Sequence, residues 1–219
     1  MNDKIANDPR LDPRIKAVLS LMPNMTMKAA NSREKMIEDA NDEDQLASRK
    51  AFQGMMEMCD NDEIAPSQGL KVTRKTIVSE PDGNSINLQI IRPDSHEVLP
   101  CVYYIHGGGM QALSCFDGNY RAWGKIIAAQ GVAVIMVDFR NSVSVSSVPE
   151  VAPFPAGLND CVSGLKWVCA NAETLNVDAG RIIVAGESGG GNLTLATGLK
   201  LKQDNDLGLI QGLYALCPY

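Results

Sequence analysis

The spacing of apolar residues changes character near residue 65. Upstream, residues 13–22 and 45–58 repeat apolar positions every three to four residues, the period of a helix with one buried face. Downstream the period falls to two. Residues 70–78 and 85–91 alternate, and Pro81-Asp82-Gly83-Asn84 between them is a turn sequence, so the pair reads as an antiparallel hairpin. Further on, apolar runs at 101–105, 132–137, 182–185 and 211–217 alternate with helical stretches at 120–129, 156–172 and 192–202. Strands that are apolar on both faces belong to a parallel sheet covered by helices. The expected architecture is therefore α/β: a mostly parallel sheet with an antiparallel opening hairpin over residues 66–219, preceded by a helical segment over 1–65. The apolar side chains of that segment include Met22, Met25, Met27, Phe52, Met55, Met56 and Met58. Unbranched methionines there suit either an adaptable surface over a pocket or plain helix packing.

Composition narrows the function classes. With 219 residues, 45% hydrophobic and 21% charged, the chain is long and apolar enough for one substantial core. A net charge of -6 and no basic cluster interleaved with aromatics argue against a nucleic-acid partner. No apolar stretch is long enough to span a bilayer and the start lacks a signal-peptide pattern, so a cytoplasmic protein is expected. Cys59, Cys101, Cys115, Cys161, Cys169 and Cys217 have no C-x-x-C spacing and read as reduced, structural thiols. With only His96 and His106 and no Cys/His cluster, no metal site is expected.

Two motifs carry chemistry. Gly186-Glu187-Ser188-Gly189-Gly190 follows the apolar run 182–185 and precedes a helix, the context in which a serine on a sharp turn becomes an acyl-transfer nucleophile. His106-Gly107-Gly108-Gly109 follows another strand, and its glycines let backbone N–H groups approach a substrate closely. Gly108, Gly109 and Gly189 are the expected oxyanion donors, reinforced by the N-terminal dipole of the helix that follows Ser188. His106, Gly107 and Glu187 are expected to support this site. His106 is read as fixing the glycine loop by hydrogen bonding, Glu187 as pointing into a supporting network, and His96 as a solvated loop residue. Asp138 and Asp160 follow apolar elements and are read as ties to backbone and arginine partners.

Together with 154–161, Phe-Pro-Ala-Gly-Leu-Asn-Asp-Cys, these motifs resemble the hormone-sensitive-lipase-like esterases, the family IV, G-D-x-G branch of the α/β-hydrolases. The likeness covers about residues 70–219. It implies an α/β-hydrolase sheet cut short after its sixth strand and N-terminal helices that form part of a cap. It also implies a carboxylesterase acting on short acyl esters without a cofactor, in a family where a late strand and helix often form a homodimer contact. Two departures stand out. Residues 139–150 form a longer Ser/Val-rich loop, and Gly189 occupies a position often held by alanine.

A triad of this superfamily runs in the order Ser, Asp or Glu, His. After Ser188 the chain offers Asp204 and Asp206, both in a polar turn, and no histidine. Ser188 without a base would be nearly inert. The expectation is that acid and base belong to a C-terminal remainder of the same protein. Two alternatives stay open: a catalytically inactive, receptor-like ligand-binding protein on the same scaffold, and an amidase.

Overall fold

The computed structural model describes residues 7–21 and 30–218. Met22, Met25 and Met27 lie outside the described residues. The chain divides into two compact units, Met1–Met56 and Glu57–Tyr219. In the first, helix α1 spans Pro13–Leu21, α2 Arg33–Ala40 and α3 Glu43–Glu57. Helix α2 has no buried residue. Its start is fixed by Ser32, whose hydroxyl accepts the Lys35 N–H at 3.2 Å, and Arg49 of α3 donates to the Ala40 carbonyl at its end. Phe52, Met55 and Met56 are half-buried.

The second unit is a six-stranded sheet with helices on both faces. Its elements are β1 Leu70–Val78, β2 Ser85–Pro93, β3 Leu99–Ile105, α4 Gly118–Ala128, β4 Ala133–Asp138, α5 Ala156–Ala170, β5 Val177–Glu187, α6 Gly189–Gln203 and β6 Gly212–Leu216. The strand order is β1-β2-β4-β3-β5-β6. β1 pairs antiparallel with β2 and β2 with β4, while β4, β3, β5 and β6 run parallel. The expected hairpin is present, closed by Gly83 at φ 74 and by the Ser79 N–H bonding to the Asn84 carbonyl at 2.7 Å.

Alternation along the strands builds two cores. One face carries Leu88, Tyr103, Ile105, Ile135, Val137, Ile182 and Val184 against Leu165 and Val168 of α5 and Leu193 and Leu201 of α6. The other carries Ile91, Tyr104, Val134, Met136 and Ala185 against Tyr120 and Ala128 of α4. Two buried polar groups, Tyr103 and Asp160, tie the covers together. Tyr103 donates to the Cys161 carbonyl at 2.9 Å. Asp160, fully buried, accepts from Ser79 Oγ, from the Arg140 backbone N–H and from the Arg140 guanidinium. Asp160 thereby joins the hairpin, the segment after β4 and α5, the structural role expected for it. All six cysteines are free, and burial pushes the Cys101 thiol up to about 12.

This topology positions the site. From β3 the chain moves by way of α4 to β4 on one side, then returns across β3 through α5 to β5 on the other side. The direction of winding reverses at β3, and a doubly wound sheet opens its crevice outside the carboxyl ends of the strands at such a point. Ile105 pairs with Gly186 in the β3–β5 register. The loop after Ile105 and the turn after Gly186 therefore leave the sheet side by side. β6 is the end strand, and its Leu213, Tyr214 and Leu216 are exposed.

Candidate active site

Ser188 stands between β5 and α6 with φ 53 and ψ -122, a backbone conformation that an L-residue adopts only at a cost of about 1–3 kcal/mol. Its neighbours hold it there. The Ser188 N–H donates to the Leu216 carbonyl at the end of β6 at 2.9 Å, and its own carbonyl accepts the Asn192 N–H to start α6. The side chain makes no cap bond and is partly exposed. A serine is thus presented at the N-terminus of a 15-residue helix, where unpaired N–H groups and the helix dipole favour negative charge.

The turn and the glycine loop after β3 are closely seated, and at Gly190 the fit requires that a side chain be missing. A Cβ on Gly190 would overlap the Ile105 carbonyl oxygen and come within 2.6 Å of the His106 oxygen. A Cβ on Gly189 would lie 2.8 Å from both Gly109 N and Met110 N. The backbone N–H groups of Gly108, Gly109, Met110 and Gly189 have no acceptor among the described residues. Loop and turn therefore meet with unpaired donors on both sides, next to Ser188.

The opposite side of the loop is pinned. Met110 and Gln111 offer their carbonyls to the N–H groups of Ser142 and Ser144, each at 2.9 Å, and Asn141 Nδ2 donates to the Leu113 carbonyl at 2.8 Å. The Ser/Val-rich segment that departs from the family pattern is the clamp on this loop. Asp138 secures both segments, accepting from Ser114 Oγ at 2.7 Å, from the Cys115 and Ser147 N–H groups and from the Ser147 hydroxyl. Its partners are backbone and serines; the arginine is held by Asp160.

Glu187 does point into a network. Its Oε1 accepts the Gly107 N–H at 2.9 Å and the Tyr120 hydroxyl at 2.8 Å, tying the root of the glycine loop to β5 and α4. Burial pushes its carboxyl up, and the two hydrogen bonds draw it part of the way back. His106 is fully buried, stacked on Phe139 at 4.3 Å between ring centroids, and donates from Nδ1 to the Gly107 carbonyl at 2.9 Å. Burial drives its pKa down against the pull of Asp138, whose Oδ1 is 3.8 Å from Nε2. A neutral imidazole locked in the loop is the result. His96 is exposed in the loop before β3.

The structure thus brings Ser188, Gly189, Gly109, Gly107, Glu187 and His106 into one assembly. Gly108, at φ 94, turns its carbonyl to the N–H groups of Gln111 and Ala112. Met110 and Tyr120 belong to the assembly too, and no sequence motif marks either. Among the described residues, no group of three His, Cys, Asp or Glu side chains could hold a metal ion, and no helix is long and apolar enough to cross a membrane.

The family model for the α/β-hydrolase fold matches residues 102–219, more than half of the chain, and the chain belongs to that family. Among solved structures it is similar to esterase Est22, at 63% identity and a TM-score of 0.93, over 99% of this chain and 63% of that one. It is also similar to brefeldin A esterase, described as a bacterial homologue of human hormone-sensitive lipase, at 33% identity and a TM-score of 0.75, over 97% of this chain and 58% of that one. Carboxylesterase NlhH of Mycobacterium tuberculosis is 40% identical over 104 residues, 47% of this chain and 30% of its own length. The resemblance to hormone-sensitive-lipase-like esterases is borne out. The chain spans less than two thirds of each of these relatives.

Proposed function

We propose that this chain is the nucleophile-bearing part of a cytoplasmic serine carboxylesterase acting on short-chain acyl esters. Ser188 Oγ attacks the ester carbonyl while a histidine beyond Tyr219, oriented by an aspartate beyond it, takes the hydroxyl proton. The C–O bond to the alcohol then breaks, the histidine protonates the departing alcohol, and an acyl-enzyme remains on Ser188. Water, deprotonated by the same histidine, releases the acid. The N–H groups of Gly108, Gly109 and Gly189 receive the oxyanion, and that of Met110, as near to Gly189 as the Gly109 donor, joins them. Glu187, Tyr120 and His106 hold the loop that carries these donors.

The observation that carries this reading is the meeting of unpaired N–H groups from two segments beside a serine held at positive φ. The relatives, an esterase, a brefeldin A esterase and a carboxylesterase, point the same way. Placing acid and base beyond this chain follows from the greater length of those relatives and from the absence of a histidine after Ser188.

Turnover of p-nitrophenyl acetate and p-nitroacetanilide by the catalytically complete protein tests the reading. Ester cleavage far faster than anilide cleavage is expected. Comparable rates would make the protein an amidase, and no turnover of either would make it a binding protein.

A further inference from the structure

We propose that Asn87 and Ser147 are positioning residues for the oxyanion donors, acting through a buried polar block to which both segments that flank the glycine loop are fastened. Strand β2 is buried from Ile86 to Arg92, and Asn87 and Gln89 stand on one face of it, each 2% exposed. Burial there favours apolar side chains, and asparagine is among the residues depleted from strands. A hydrogen-bonded pair of buried polar groups adds little more to stability than an apolar pair of the same shape. What the two amides add is the placement of their partners.

Asn87 lies opposite Asp138 and Gln89 opposite Met136 in the β2–β4 register, so both amides share a face with Asp138. Gln89 Nε2 donates to the Cys115 carbonyl at 2.7 Å, and Asn87 Nδ2 donates to Ser147 Oγ at 2.8 Å. Asn87 is itself oriented by Thr76, whose hydroxyl donates to Oδ1 at 2.7 Å, and the Ser147 hydroxyl donates onward to Asp138. Donation therefore runs one way, from Thr76 on β1 through Asn87 and Ser147 to the end of β4. Ser114 and Cys115 complete the block by donating to Asp138 Oδ1. The glycine loop is thereby held from two directions. Ser114 and Cys115 follow Met110 in the chain, and the segment leading to Ser147 takes the Met110 and Gln111 carbonyls through the Ser142 and Ser144 N–H groups. A shift of Ser147 is passed to the Gly109 and Met110 N–H groups, and a misplacement of about 1 Å at a reacting centre can cost about 10²-fold in rate. The inference rests on the proposed role of those groups as oxyanion donors.

Ser147→Ala removes the hydroxyl that joins Asn87 to Asp138 but leaves the Ser147 backbone N–H on Asp138. In the catalytically complete protein it should lower kcat for p-nitrophenyl acetate about tenfold with KM changed less than about twofold, the mark of an interaction realised in the transition state. Ser147→Thr, which keeps the hydroxyl, should restore most of kcat. Asn87→Leu, made on the neighbouring strand, should reproduce the Ser147→Ala split. Amide hydrogen exchange followed by mass spectrometry reads the placement without any ester chemistry. Residues 107–115 should exchange about tenfold faster in Ser147→Ala, while β3 and β5 exchange as in the wild type. A wild-type protein without ester turnover would sink the esterase reading; unchanged exchange over 107–115 would sink this one. A raised KM with kcat intact, a kcat loss that threonine does not restore, or faster exchange spread evenly along the chain would also overturn it.

Discussion

Replacing Ser188 by alanine is expected to lower kcat for ester hydrolysis on the order of 10⁶-fold, because nucleophile and base act as a unit and removing either forfeits nearly the whole effect. The same position should show the opposite sign in stability. Ser188 sits at φ 53 and ψ -122, held by the Leu216 carbonyl on one side and the first bond of α6 on the other. Glycine adopts positive φ without a Cβ penalty, so Ser188→Gly should abolish turnover while raising the unfolding free energy by about 1 kcal/mol. Steady-state kinetics and urea midpoints on the wild type and both variants check the pair. A Ser188→Gly protein less stable than the alanine variant would show that the turn stores no strain.

The second large effect is structural. Gly190→Ala places a Cβ on the Ile105 carbonyl oxygen and within 2.6 Å of the His106 oxygen. Both belong to the backbone at the end of β3, which is flanked by β4 and β5 and has no room to yield. Overlap with fixed backbone in a buried turn belongs among the rare substitutions that cost more than about 4 kcal/mol. Loss of soluble protein or a collapse of the urea midpoint is expected. Gly54→Ala is the control. Gly54 lies within α3, a Cβ there meets nothing within 4 Å, and alanine should stabilise that helix by about 0.5–1 kcal/mol. Similar midpoints for the two alanine variants would mean that β3 and the nucleophile turn are not interlocked.

How much of this could be read from the sequence depended on where each signal resides. Strands buried on both faces announce themselves as apolar runs, and β3 and β4 differ from the expected spans by one or two residues. β5 runs from Val177, five residues before the expected start, because Asp178, Gly180 and Arg181 carry no apolar signal. Helix α6 begins at Gly189, three residues early, since a run of glycines argues against a helix locally while the tight seat against β3 requires it. Helix α2, Arg33–Ala40, was not legible because it buries no face; its cap at Ser32 was the available clue.

The same division holds at the candidate site. Ser188 and the glycine loop were legible because chemistry fixes residue types at short spacing. Tyr120 was not, since its bond to Glu187 spans 67 positions and exists only after α4 has packed on the sheet. Nor could the role of 139–150 be read. Its serines look like an irregular loop, yet they fasten the carbonyl side of the glycine loop and leave the N–H side free. Met110, at φ 62, follows the last glycine of the motif and carries no mark of its own.

The central claim is that Ser188 is an activated nucleophile. Its most direct test is peptide mass mapping of the catalytically complete protein after exposure to a fluorophosphonate. The account predicts one stoichiometric phosphonyl adduct on the peptide that carries Ser188, lost in Ser188→Ala. An unlabelled protein, or a label on any other residue, would contradict it.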